Sequence, residues 1–218
     1  MDNHDVVLIT GASKGLGLAL ARRLARKGHP LVINARGEEA LRRAEAELAR
    51  VTEVLAIPGD VSEIAEELAA KALARFGRVD LLINNASELG PSPMPVLEEH
   101  PWQSLLRIYT VNVVAPLHLM QLLLPGMKAR GRGTIINISS DAAVNAYPRW
   151  GGYGSSKAAL AHASRVLAAE LEGSGVRVLV LDPGDMNTEM HALAEPGVDL
   201  SHLKTPDEVA PAILEAVA

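Results

Sequence analysis

The chain has no cysteine, so it can form neither a disulfide nor a Cys-ligated metal site, and redox chemistry does not constrain its compartment. Positive charge is in deficit: 21 Lys and Arg against 26 Asp and Glu give a formal net charge of -5. No basic run offsets that balance, which argues against nucleic acid or an anionic membrane as the main partner. No stretch reaches the ~18 consecutive apolar residues that a membrane span needs. The first residues, MDNHDVVLIT, enter a strand-like run at once and leave no room for a signal peptide. Gly/Ser-rich linkers, repeats and low-complexity tracts are also missing. What remains is 218 residues, 48% of them apolar, enough for one large core. The expectation is a single domain over residues 1–218, soluble and cytoplasmic.

Within it, short β-rich runs alternate with helical patterns from end to end. Strands are expected at Val6–Ile9, Leu31–Asn34, Glu53–Ile57, Leu81–Asn84, Thr134–Ile138 and Val176–Leu181. Helices are expected over Gly15–Lys27, Glu38–Arg50, Ser62–Phe76 (with Ser62 as N-cap), within Pro101–Arg130, and over Gly152–Leu171 and about Pro206–Val217. A polar loop should fill the gap before the last helix. Continuous apolar strands separated by helices indicate an α/β fold with a parallel sheet covered on both faces. Right-handed crossovers make it a doubly wound, Rossmann-type sheet of six strands.

Directly after the first strand comes Thr10-Gly-Ala-Ser-Lys-Gly-Leu-Gly17. Gly11 permits a sharp exit from the strand, Gly15 lets backbone approach a pyrophosphate, and Gly17 lets helix and sheet pack closely. The helix that follows offers unpaired N–H groups and a positive dipole to phosphates. At the end of the second strand, where an acidic residue would accept hydrogen bonds from an adenosine ribose, stands Asn34-Ala35-Arg36. Arg36 and Lys14 together suit a 2′-phosphate, so NADP(H) is favoured over NAD(H).

Further on, Tyr153 and Lys157 are four residues apart, one helical turn along the same face. A free Tyr titrates near pH 10 and is a poor acid–base group at neutrality. A cation about 4 Å away at an effective dielectric near 20 favours the phenolate by roughly 4 kcal/mol. That is about three pKa units, an upper figure because burial opposes it.

With TGASKGLG, Asn84-Asn85-Ala86, Ser140 and Tyr153-xxx-Lys157 in order, the chain resembles the short-chain dehydrogenase/reductase family from Val6 to about Thr188. The resemblance implies a catalytic tetrad of Asn112, Ser140, Tyr153 and Lys157. Ser140 is chosen over Ser139 because it lies thirteen residues before Tyr153, the family's usual interval, and Ser139 should face away. Asn112 would anchor a proton-relay water, and Tyr153 and Lys157 would also bind the cofactor. The implied cofactor contacts are Gly11, Ser13, Lys14, Gly15, Leu16 and Gly17 in the first loop and Arg36 after the second strand. Asp60 and Val61 would meet the adenine, and Asn85 and Ala86 the adenosine-side ribose. Pro183, Gly184, Met186 and Thr188 would run along the nicotinamide.

The implied activity is NADP(H)-dependent, reversible hydride transfer between nicotinamide and a carbonyl or alcohol, with reduction of an apolar ketone or aldehyde as the working direction. The pocket wall is expected from Leu89–Met94, Ala142–Trp150 and a substrate loop at about 185–205, with Met94, Tyr147, Trp150, Met186, Met190 and Leu193 supplying apolar surface. A non-catalytic NADP(H) sensor on the same fold is the alternative; it would keep the glycine loop and tend to lose the tetrad. His118, His162 and His191 read as structural or surface residues. Three departures stand out. Ser87 replaces the last Gly of the family's NNAG, which strains the backbone if that position needs positive φ. Asp141 follows Ser140 where small or apolar residues are usual. The sequence ends after the last helix, where many relatives add a seventh strand. Keeping the family's four-helix interface, from helices 101–130 and 153–171, while lacking part of the other implies a homodimer.

Overall fold

The structure, a computed structural model, describes residues 4–216. Six parallel strands form its sheet: β1 (Val7–Thr10), β2 (Leu31–Ala35), β3 (Val54–Pro58), β4 (Leu81–Asn84), β5 (Gly133–Ile138) and β6 (Val176–Leu181). Their spatial order is β3-β2-β1-β4-β5-β6, so the chain reverses its direction of winding between β1 and β4. Val7 is in register with Leu31 on one side and Leu81 on the other.

Strand residues point alternately to opposite faces, and here both faces are apolar. Val7, Ile9, Leu31, Ile33, Leu81, Ile83, Ile136 and Ile138 enter one core, with side chains of α1 (Gly15–Arg26), α2 (Glu38–Leu48) and α8 (Pro206–Glu215). Val6, Leu8, Val32, Leu82 and Ile135 enter the other, against α3 (Val61–Phe76) and α5 (Ala115–Arg130). Beside α5 lies α6 (Gly151–Glu170). The expected doubly wound sheet of six strands is what forms.

Three local features differ from expectation. The N-cap of α3 is Asp60, whose carboxylate accepts from the Ser62 amide at 3.0 Å, so Ser62 lies inside the first turn. Its longer carboxylate arm reaches the N2 amide and, at 2.6 Å, the Ser62 hydroxyl as well. The stretch read as a polar loop contains a short helix, α7 (Glu189–Ala194), started by Thr188, which accepts from the His191 amide. The long helix is broken into α4 (Trp102–Tyr109), a π turn (Thr110–Val114) and α5. Taken as one run, Trp102–Arg130 is long and apolar enough to cross a bilayer, which the count of uninterrupted apolar residues missed. Half of its most apolar window is buried inside the fold, so covering the sheet accounts for that character. Helix α8 was expected to reach Val217, which lies outside the described residues.

Candidate active site

Strand ends put the chemistry in one place. A cleft of about 740 Å³ opens along the C-terminal edge of the sheet, where doubly wound folds bind ligands at the reversal of strand order. Its walls include Gly11, Ser13, Lys14, Gly15, Leu16, Arg36, Asp60, Val61, Asn85 and Ala86 at one end. At the other end stand Ser140, Tyr153, Lys157, Pro183, Gly184, Met186 and Thr188. Gly17 and Asn112 lie behind these walls.

The glycine loop is shaped by two different demands. Gly15 has φ +57°, and a Cβ built there would meet nothing within 4 Å, so its backbone faces open cleft. Gly17 is the opposite case: its Cβ would stand 2.4 Å from the Gly11 carbonyl oxygen and 2.6 Å from Asn85 Nδ2. Asn85 braces the loop, donating to the carbonyls of Thr10 (2.9 Å) and Gly11 (3.1 Å). The N-terminus of α1 has no side-chain cap. A bare backbone cradle at a helix start is what a dinucleotide pyrophosphate requires, and these residues fit one.

Lys14 and Arg36 line the cleft as expected, but each is already paired. Lys14 Nζ lies 2.5 Å from Glu189 Oε2 in α7, and Arg36 Nη1 lies 2.9 Å from Glu88 Oε2 in the loop after β4. Asp60 is also engaged, by Ser62 and by the Arg107 guanidinium. Burial pushes its carboxyl up, yet the bonds from Ser62 and Arg107 outweigh that and hold it below the usual range.

Tyr153 and Lys157 follow the four-residue spacing onto one buried face of α6. Lys157 Nζ lies 5.5 Å from the centre of the Tyr153 ring and donates to the Ile138 carbonyl at 2.9 Å. Burial pushes the Tyr153 phenol up to about 12 and the Lys157 ammonium down to about 8. The expected lowering of the phenol by the ammonium therefore does not dominate here. The spacing fixes a shared face, but the lysine rotamer carries its charge to a backbone carbonyl, and desolvation governs both groups.

Ser140 Oγ accepts from the Ala142 amide and donates to Asp141 Oδ1, both at 3.2 Å. Asp141 also accepts from the Tyr147 phenol at 2.6 Å; that bond first, and the Ser140 hydroxyl after it, hold its carboxyl below the usual range against a smaller effect of burial. Ser139 also reaches the cleft wall but is buried, with its amide bonded to the Leu181 carbonyl. Asn112, buried in the π turn, donates from Nδ2 to the Glu88 carbonyl and to Ser156 Oγ, both at 2.9 Å. Its Oδ1 accepts from the Glu88 amide at 2.7 Å and from the Ser87 hydroxyl at 3.2 Å. The π turn offsets the helical register at this residue, a common device at functional sites.

The substrate end corrects part of the expected wall. Trp150, Met186, Met190 and Leu193 line the cleft, but Met94 is core packing beneath Tyr153 and Tyr147 stands outside the wall. His191, read as structural or surface, lines the cleft in α7 with Nε2 3.2 Å from Glu195. The sequence reading also missed Glu88 and Asp182 in the lining; Glu189 falls in the expected substrate loop but was not singled out. Ser87 carries no positive φ, so the anticipated strain is absent. Its departure from glycine was the available signal for a role there.

A glycine-loop cleft that ends at a buried Tyr–Lys pair with a serine, Ser140, on the same wall defines a nicotinamide-dependent oxidoreductase of the doubly wound class. A family model for short chain dehydrogenase matches residues 5–198. The chain belongs to the short-chain dehydrogenase/reductase family and is an NAD(P)-dependent oxidoreductase. It is 40% identical over 193 residues to dehydrogenase/reductase SDR family member 4 of Bos taurus, covering 85% of this chain and 67% of that protein. An alcohol dehydrogenase from Thermococcus sibiricus, complexed with 5-hydroxy-NADP, superposes with a TM-score of 0.85 at 34% identity, covering 98% of this chain and 90% of the other. A 7α-hydroxysteroid dehydrogenase complexed with NADH and 7-oxo glycochenodeoxycholic acid gives 0.86 at 30% identity, covering 96% and 86%.

Proposed function

We propose that the chain is an NADP(H)-dependent reductase of apolar ketones or aldehydes. The observation that carries this reading is the burial of Tyr153 and Lys157 side by side at the end of the cleft that the glycine loop begins. With its phenol pushed up to about 12, Tyr153 stays protonated at neutral pH and can donate to a carbonyl oxygen. Lys157, pushed down to about 8, keeps most of its charge at pH 7 and favours the phenolate left after donation. Ser140 holds and polarises the substrate oxygen by exchanging its bond to Asp141 for one to substrate. When bound, the nicotinamide supplies or accepts the hydride.

The remaining assignments follow the cleft. Gly11, Ser13, Gly15 and Leu16 would hold the pyrophosphate, Asp60 and Val61 the adenine, and Asn85 and Ala86 the adjacent ribose. Pro183, Gly184, Met186 and Thr188 would hold the nicotinamide side. Lys14 and Arg36 would receive a 2′-phosphate by exchanging Glu189 and Glu88 for it. Lys14–Glu189 is a well-exposed surface pair, and Arg36 is itself exposed. Such pairs are worth at most about 1 kcal/mol, so a doubly charged phosphate can displace them. Trp150, Met186, Met190 and Leu193 present apolar surface to the substrate.

Two measurements test this. In a spectrophotometric carbonyl panel, Tyr153→Phe should leave NADPH binding nearly intact and lower turnover by at least about 100-fold, the scale of general acid catalysis. Unchanged turnover rules out the assignment of Tyr153. Separately, the Michaelis constant for NADPH should lie well below that for NADH; the reverse order overturns the cofactor choice alone.

A further inference from the structure

Ser87 stands where the family's NNAG motif has glycine, at the point where the cleft wall meets the π turn. Its hydroxyl donates to Asn112 Oδ1 at 3.2 Å, and Asn112 is itself fixed by the Glu88 amide, the Glu88 carbonyl and Ser156 Oγ. The hydroxyl is thus tied to a buried amide whose position is set on three other sides. Ser87 lines the same cleft as Tyr153, and the Asn112 that holds its hydroxyl also donates to Ser156, three residues on from Tyr153 in α6. A hydrogen bond from Ser87 would oppose the effect of burial on the phenol. Ser140, by contrast, is bonded to Asp141 and the Ala142 amide.

We propose that Ser87 is a positioning residue for proton transfer, a second hydroxyl that Asn112 holds against the Tyr153 phenol oxygen. This rests on the reading of Tyr153 as the proton donor. As Tyr153 gives up its proton, the negative charge on its oxygen can accept the Ser87 O–H, which turns from Asn112 Oδ1 toward it. No atom is transferred through Ser87; it supplies one hydrogen bond that strengthens as charge develops. Asn112 Oδ1 keeps the Glu88 amide as donor throughout, so the turn leaves no buried acceptor without a partner. The charged groups facing Tyr153 are Lys157 on its own helix, and Asp141 and Asp182 from the ends of β5 and β6, whose charges favour the protonated phenol. Against those two carboxylates, a local donor at the phenol oxygen has a definite task. A glycine at position 87 leaves that task to Ser140 and Lys157.

The variants are Ser87→Ala, Ser87→Gly and Ser87→Thr; the backbone at 87 is not left-handed, so none of the three is strained there. The protein has three tyrosines, so 3-fluorotyrosine in their place gives an interpretable ¹⁹F NMR titration, with Tyr153 assigned by loss of its signal in Tyr153→Phe. Fluorination also brings the phenol titration to lower pH. Removing one neutral donor should move the Tyr153 titration up by about half to one pH unit in Ser87→Ala and Ser87→Gly, a three- to tenfold lower phenolate fraction at a given pH. Ser87→Thr should restore it. In turnover, the same two variants should shift the pH profile of alcohol oxidation upward by a similar amount, with the Michaelis constant for cofactor unchanged. A Tyr153 titration that superimposes on the wild type in both variants overturns the proposal, whatever the substrate is found to be. Activity surviving Tyr153→Phe would instead overturn the reading on which it rests, while the titration still reports whether Ser87 and Tyr153 are coupled.

Discussion

Lys157 carries an ammonium into a site where only 3% of the residue is exposed, and its bond to the Ile138 carbonyl does not repay the lost hydration. Burial pushes its pKa down to about 8 from 10.5, the direction that this penalty dictates. In the unfolded chain the group holds its proton up to its ordinary pKa; in the folded protein it releases it near 8. The unfolded state therefore binds more protons between those values, and stability rises with pH through that window. Below it the full cost of burying the charge is present. Lys157→Met should thus stabilise the fold at pH 7 by about 2 kcal/mol, after discounting the Ile138 carbonyl left without its donor, while abolishing turnover. The gain should shrink toward pH 10, and urea denaturation at several pH values checks both. Equal stability of variant and wild type across that range would contradict the desolvation argument. Tyr153 adds an opposite trend at higher pH: its raised pKa keeps the folded phenol neutral where the unfolded one ionises, so stability falls as pH rises from 10 to about 12.

At the scale of elements, the turn from β1 into α1 separates two uses of glycine. A Cβ at position 17 would strike a backbone oxygen that cannot swing aside, so Gly17→Ala should cost about 1–3 kcal/mol of stability and disturb the Asn85 brace. A Cβ at position 15 meets nothing, and only its left-handed backbone is strained, at about 1–2 kcal/mol. Cofactor titration distinguishes the two. Gly15→Ala should lose affinity out of proportion to its stability, because the added methyl stands in the cleft. Gly17→Ala should lose both together. The cap of α3 was legible only in kind. Ser62 and Asp60 are both good caps, and the path of the chain out of β3 decided that the helix starts at Val61, which leaves Asp60 to cap it.

At the scale of the whole molecule, the family commonly forms oligomers, and this chain leaves an apolar groove between α5 and α6. Leu117, Met120, Leu124, Ala163, Val166 and Leu167 line it, and Val166 is 46% exposed. These helices are the ones expected to pair with their copies in a second subunit. Sedimentation should show a dimer, and Val166→Glu, which places a charge on that face, should shift it toward monomer. A wild-type protein that sediments as a clean monomer would remove the proposed homodimer.

The sequence by itself determined the α/β class, the order of elements and the glycine loop, because periodicity, apolar strands and turn residues act over a few neighbours. It also placed Ser140, Tyr153 and Lys157 in one functional group by spacing and resemblance. Tertiary structure decided what that group is next to. Ser87 reaches Asn112 over 25 positions, Lys14 meets Glu189 over 175, and Met94 is sent beneath Tyr153 rather than into the cleft. It also reversed the expected acidity of Tyr153, since a pKa depends on burial and rotamer as well as on which residue lies four positions away. Long-range contacts follow from how six strands stack and where their ends converge, and no local pattern encodes that convergence.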